Sequence, residues 1–269
     1  EIEIFNGGSS AIFSLMRNIE AKKCYIYSPA YLEYKKSAQI YNKELVFINR
    51  FTNINSEIEK DSLVVFINPS TPDGKYYELD LLFTLWIKQN ATIIIDESFL
   101  EYSGKKSVIP YLCKYDKLYI LKSLTKFYGC AGVRLGVVIS NSENINNIKS
   151  TEPPWKISAY DSEFIRIVIC DEKFREKTVK KTKKAKEYLK RIVEKSPIIE
   201  TVFESNANFF LVKLFGMSAK EFGQKLTKYN IMVRDCSNFD FLDDNYVRIA
   251  VKSKKDLKVF KEGLQCLKS

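Results

Sequence analysis

Through the first half of the chain, apolar runs of strand length alternate with segments whose apolar residues recur at helical spacing. Behind Asn6-Gly7-Gly8-Ser9-Ser10, the side chains of Ile12, Phe13, Leu15, Met16 and Ile19 share one helical face. Residues 24–27 read as a short strand, 32–41 as a helix and 45–48 as another strand. Residues 63–67 and 92–95 are near-continuous β-branched and aromatic runs, the texture of parallel strands buried on both faces. Helical spacing over 79–89 separates them, and 118–121 and 137–139 add two more strands. The pattern predicts an α/β fold: a mostly parallel sheet with helices on both faces. Around Thr151-Glu152-Pro153-Pro154 the texture changes. A long helical region over 159–195 precedes strands at 208–214 and 246–251, with helices between and after them. Residues 1–158 are therefore expected to form a large domain. Residues 159–269 are expected to form a linking helix and a smaller C-terminal α+β domain.

Composition narrows the chemistry. Histidine is absent from all 269 residues, which excludes Ser-His-Asp and Cys-His catalysis, His-ligated zinc and His proton shuttles. The six cysteines contain no C-x-x-C pair and read as reduced, mostly buried thiols of a cytoplasmic protein. A net charge of +10 admits nucleic acid, membrane surfaces or small anions as partners. The densest basic run, residues 180–186, leads into Tyr188-Leu189 and Ile192-Val193 at helical spacing. It reads as the solvated face of an amphipathic helix, so neither a nucleic-acid nor a membrane partner is expected. No apolar run approaches the roughly 18 residues needed to span a bilayer. The chain opens on Glu-Ile-Glu-Ile, without an initiator Met or a signal peptide, and the expectation is a piece of a longer protein.

Three groups of residues stand at the ends of predicted strands, where open α/β sheets bind ligands. Asp96-Glu97 closes the strand ending at Ile95; it is either a carboxylate for a charged ligand group or a helix cap. Lys126 sits in Ser123-Leu124-Thr125-Lys126-Phe127-Tyr128-Gly129, where a lysine can donate to phosphate or, with a depressed pKa, form an imine. Arg134 follows eight residues later between Gly132 and Gly136. Asn6-Gly7-Gly8-Ser9-Ser10 runs straight into a helix and offers either a phosphate cradle or a capped glycine turn.

Asn68-Pro69-Ser70-Thr71-Pro72-Asp73-Gly74, then Asp96-Glu97-Ser98-Phe99, then Ser123-Leu124-Thr125-Lys126 with Arg134 resemble, in this order, the fold type I pyridoxal-phosphate enzymes. These are the class I and II aminotransferases and their relatives, and the resemblance covers nearly the whole chain. Asn6-Gly7, Ser123 to Tyr128, Pro154-Trp155, Val233 to Phe239 and Phe99 are most like the threonine-phosphate decarboxylases, known from cobalamin biosynthesis, and the related histidinol-phosphate aminotransferases. The resemblance implies pyridoxal 5'-phosphate as cofactor, with Lys126 as its imine-forming lysine and Asp96 paired with the pyridinium nitrogen. It implies Tyr31 stacked on the ring and the phosphate held by Gly8, Ser9, Ser123, Arg134 and, more weakly, Thr125. Thr71 takes the place of the family Asn that meets the phenolic oxygen, and Phe99 the place of the usual Tyr. Arg248 would clamp a substrate carboxylate and Arg234 a substrate phosphate, with Asn208 near the substrate.

The reaction so implied is decarboxylation of an O-phosphorylated amino acid, with transamination of histidinol-phosphate type as the alternative. A homodimer and a small amino acid or amino phosphate substrate follow from the same resemblance. Two departures, Thr71 with Phe99 and a family segment that precedes the glycine turn but is not in this sequence, motivate a third reading as a catalytically silent homologue.

Overall fold

Leu63–Ile67 forms a strand buried at every position because helices cover both faces of its sheet. In a computed structural model describing residues 1–267, the first half of the chain runs β1 (Ile2–Asn6), α1 (Gly7–Asn18), β2 (Lys23–Ser28), α2 (Leu32–Ile40), β3 (Glu44–Asn49) and β4 (Leu63–Ile67). It continues through α3 (Asp80–Lys88), β5 (Thr92–Asp96), β6 (Leu118–Ser123), α4 (Leu124–Phe127), β7 (Leu135–Ile139) and α5 (Ser142–Ser150). The seven strands lie in the order β1-β7-β6-β5-β4-β2-β3. From β6 to β3 all neighbours are parallel, while β7 is antiparallel to both β6 and β1.

Alternation along β4 divides the core. Leu63, Val65 and Ile67 join Ile12, Leu15 and Met16 of α1 and Ile145 and Ile148 of α5. Val64 and Phe66 face Leu82, Phe83 and Trp86 of α3 on the other side. Trp86 is fully buried and satisfies its indole N–H on the Tyr27 hydroxyl at 3.0 Å.

The remaining elements are α6 (Ala159–Val168), α7 (Glu172–Glu194), β8 (Ile199–Val202), β9 (Phe209–Leu214), α8 (Ala219–Thr227), β10 (Arg234–Asp235), β11 (Tyr246–Ala250) and α9 (Lys254–Cys266). A second, antiparallel sheet is ordered β10-β11-β9-β8. Leu189, Ile192 and Val193 of α7 pack on it together with Phe222, Leu226, Leu257, Phe260 and Leu264.

Several elements differ from the sequence expectation. The region predicted as one helix over 159–195 is two, because the Asp171 side chain caps a new helix by accepting from the Phe174 N–H at 2.8 Å. Glu-Ile-Glu-Ile proves to be an edge strand, and the polar segment Ser142–Ser150 a helix. Cys24, Cys130 and Cys236 are buried but Cys113, Cys170 and Cys266 are exposed, so half of the thiols are buried rather than most. Among the described residues no helix is long and apolar enough to cross a membrane.

The topology positions a site. From β2 the chain steps outward to β3, then resumes on the other side of β2 at β4, and such a reversal opens a crevice at the carboxyl ends of the strands. Strand register brings Ile67 beside Asp96 and Asp96 beside Leu121 at that edge. Gly136 lies opposite both Ser123 and Phe5, so the start of α1 arrives at the same edge.

Candidate active site

Helix α1 begins directly where β1 ends, and no side chain caps it: Asn6 makes no capping hydrogen bond and the first turn holds no acidic residue. Its leading N–H groups and the positive end of its dipole are thus left for an anion. Two glycines allow close approach. Gly7 has φ +83°, and a Cβ there would lie 2.7 Å from Arg134 Nη2. A Cβ on Gly136 would lie 2.6 Å from the backbone nitrogen of Gly8. The Ser123 side chain packs against Gly8, and its Oγ stands 3.1 Å from Thr125 Oγ1. Helix amides, two hydroxyls and a guanidinium therefore converge, as a bound phosphate requires.

Asp96, the last residue of β5, is buried. Its Oδ2 accepts from the Tyr34 hydroxyl at 2.9 Å and its Oδ1 from the Ser98 N–H at 2.8 Å. Among the described residues no lysine or arginine pairs with it. A buried carboxylate held by two neutral donors lacks a counter-cation, and a protonated ring nitrogen is a fitting one. Lys126, in α4, has its Nζ 4.8 Å from the centre of the Phe99 ring and no hydrogen-bond acceptor or ion-pair partner among the described residues. Burial pushes its pKa down; the charge of Asp96 opposes that, and Arg248 and Arg134 add to it. The result favours the neutral amine that attacks a carbonyl.

The second sheet supplies the opposite wall. Arg248 on β11 donates to Thr71 Oγ1 at 2.8 Å and stacks 4.8 Å from the Phe209 ring centre, with burial lowering its pKa. In the β10–β11 ladder Arg234 stands directly opposite Arg248. Like charges across a strand pair repel. Among the described residues Arg234 bonds only Asn238 Oδ1, at 3.0 Å, and lies 5.7 Å from the Phe239 ring centre. Among the described residues neither guanidinium has a carboxylate partner.

One cavity of about 280 Å³ is lined by eleven of the twelve residues that the sequence singled out. They are Gly8, Ser9, Tyr31, Thr71, Asp96, Ser123, Thr125, Lys126, Arg134, Arg234 and Arg248. Tyr31 is half-exposed at the rim, its hydroxyl 3.4 Å from Ser9 Oγ. Asn208 lies outside the lining, just before β9; its carbonyl accepts from the Val251 N–H, and its buried Oδ1 has no hydrogen-bond partner among the described residues. Lys126, Arg134, Arg234 and Arg248 face the cavity against the single carboxylate of Asp96, so it is built for ligands carrying several negative charges.

Sequence reasoning missed the supports. Tyr34 lies one turn beyond Tyr31 in α2, a spacing that was the available signal. Arg50, fully buried, bonds Asp73 Oδ1 at 3.1 Å, the Thr71 carbonyl at 2.7 Å and the Tyr27 carbonyl at 3.2 Å. It thereby fixes the loop that carries Thr71.

The family model for aminotransferase class I and II matches residues 2–264. A protein of Caldanaerobacter subterraneus subsp. tengcongensis named as a threonine-phosphate decarboxylase is 30% identical over 99% of this chain and 76% of its own length. A histidinol-phosphate aminotransferase of Methanocaldococcus jannaschii is 27% identical over 88% of this chain and 66% of its own. The crystal structure of the histidinol-phosphate aminotransferase from Clostridium acetobutylicum superposes with a TM-score of 0.90 at 28% identity, covering 99% of this chain and 83% of that one.

Proposed function

Because the chain belongs to the class I and II aminotransferase family of pyridoxal-phosphate enzymes, we propose that it decarboxylates an O-phosphorylated amino acid of the threonine-phosphate kind. The observation that carries this reading is the opposed pair Arg234 and Arg248, two guanidiniums without a carboxylate partner among the described residues. A substrate with a carboxylate and a phosphate would neutralise both.

The cofactor is pyridoxal 5'-phosphate, and the residues present fit it. The uncapped start of α1 at Gly8 and Ser9, with Ser123, Thr125 and Arg134, would hold its phosphate. Asp96 would meet the ring nitrogen, Tyr31 the ring face, Thr71 the phenolic oxygen and Lys126 the aldehyde. When bound, the group supplies an aldehyde that captures an amine and a ring that accepts an electron pair from the adjacent carbon.

The chain's own residues decide which bond breaks. Arg248 would bind the substrate carboxylate through its fork while Thr71 keeps the guanidinium in place. Arg234 would take the phosphate, with Asn238 steadying its guanidinium. With both ends held, the substrate could not turn, and Arg248 and Arg234 would decide which bond stands perpendicular to the ring. Were that bond the one to the carboxylate, CO2 would leave and Lys126 Nζ would supply the proton that replaces it. A perpendicular Cα–H bond would instead give transamination, a reading favoured by the likeness to histidinol-phosphate aminotransferases.

Threonine phosphate added to the loaded enzyme is expected to release CO2 and leave an amino alcohol phosphate. A keto product without CO2 overturns the decarboxylase reading in favour of transamination. Absence of any turnover in protein that folds but fails to bind cofactor points to the silent homologue. Arg234→Gln is expected to raise the KM for phosphorylated substrates roughly 10- to 100-fold, the loss of hydrogen bonds to a charged group, while the cofactor's visible band is unchanged.

The same reading includes a homodimer. Helix α6 buries none of its residues, and Trp155 beside it is 95% exposed, an apolar face that a second copy would cover. Light scattering on the purified protein measures this.

A further inference from the structure

Tyr34 is among the largest fully buried side chains of the protein, yet it ends in a hydroxyl. Among the described residues that hydroxyl donates to a single group, Oδ2 of Asp96, at 2.9 Å. A buried phenol satisfied by only one acceptor is committed to it, since turning away would strand a polar atom in the core. The ring belongs to the buried core that α2 shares with the parallel strands, the core that also holds Ile26, Ile67 and Leu121. The other Asp96 oxygen is taken by the Ser98 N–H, so the two donors hold the carboxylate from both sides.

We propose that Tyr34 is a positioning residue for Asp96: its hydroxyl holds the buried carboxylate turned toward the cavity where the cofactor ring nitrogen would lie. This rests on the assignment of Asp96 to that nitrogen. So held, the carboxylate would meet a protonated ring nitrogen as an ion pair. Without the hydroxyl, Asp96 gains freedom to rotate about its side-chain torsions. Burial and the Asp96 charge both raise the Tyr34 pKa well above its ordinary value, so the phenol stays a donor across the working pH range.

The test is a double-mutant cycle read by equilibrium binding of pyridoxal 5'-phosphate, with no substrate present. Wild-type binding establishes the cofactor assignment first; its failure would count against that assignment alone. Tyr34→Phe is then expected to weaken binding about tenfold, the order of one hydrogen bond to a charged group. In an Asp96→Ala background the same change is expected to alter binding less than twofold, because its effect passes through the carboxylate. Circular dichroism of each apo variant reports folding. In the apo protein Asp96→Asn is also expected to lower the pH at which the Tyr34 phenol ionises, read as the ultraviolet difference from Tyr34→Phe. Unchanged affinity in Tyr34→Phe, or an equal loss in both backgrounds, overturns the proposal and reduces Tyr34 to packing.

Discussion

Lys126→Ala is expected to abolish the visible imine absorbance formed with pyridoxal 5'-phosphate and to cut turnover by roughly 10²- to 10⁴-fold, the usual worth of a positioned acid–base group. The choice of this lysine in so basic a chain rests on three coincident properties. It lines the cavity, burial depresses its pKa, and its Nζ has no acceptor among the described residues. Two other lysines share the depressed pKa but are occupied. Lys186 is brought to about 8 by burial and by Lys190, yet it donates to the carbonyls of Ser205 and Ala207. Lys43, also lowered by burial, donates to the carbonyls of Ile19 and Ala21. The sign favours reaction: the neutral amine attacks an aldehyde, and a lowered pKa enlarges the neutral fraction at a given pH. Borohydride trapping followed by peptide mapping should therefore place the cofactor on Lys126 in the wild type. Lys186→Ala should keep the band. Trapping on another lysine in folded wild-type protein would remove Lys126 from the site.

What could be read from the sequence follows from how locally each feature is determined. The runs at Leu63–Ile67 and Thr92–Asp96 announce strands covered on both faces, because a partly exposed strand would carry polar alternation. β1 does alternate, but its pairing with β7 joins residues more than 120 positions apart, which no local pattern reveals. The break between α6 and α7 turns on one capping carboxylate, Asp171, inside a stretch that otherwise keeps helical spacing. Asp96, Lys126, Arg134 and the glycine turn at Gly8 and Ser9 were legible because strand ends, glycine turns and unusual basic positions are local signals, whereas Tyr31, Thr71, Arg234 and Arg248 came from the family resemblance alone. Tyr34 and Arg50 carry none of these: one reads as a helix residue and the other as an ordinary cation after a strand. Their meaning arises only when α2 and β3 are folded against the carboxyl edge of the sheet. Asn208 shows the converse, a position matched by resemblance that is not among the residues lining the cavity.

Arg50→Ala is expected to destabilise the protein by about 3–5 kcal/mol, because it leaves the Asp73 carboxylate buried without its cation. At about 2–4 °C per kcal/mol for a chain near this size, the melting temperature should fall by roughly 10 °C. Both side chains are shut off from solvent, at 0% and 2% exposure, so water cannot replace the lost partner. The pair is also imperfect: Arg50 Nε and Asp73 Oδ2 have no hydrogen-bond partner among the described residues. Buried pairs of this kind add little net stability over apolar residues of similar volume. The double variant Arg50→Met with Asp73→Leu should accordingly recover part of the loss, though not all. The carbonyls of Tyr27 and Thr71 would still lack the Arg50 donors they have now, while the Ser70 hydroxyl would keep only the Lys75 carbonyl. Function separates this pair from ordinary core packing. Arg50 grips the backbone of Thr71, whose hydroxyl in turn holds Arg248, so both variants should raise substrate KM while the Lys126 imine band persists. Equal melting losses in the single and double variants would show that shape rather than the stranded charge sets the cost. An unchanged KM would show that Arg248 does not depend on the Thr71 loop for its aim.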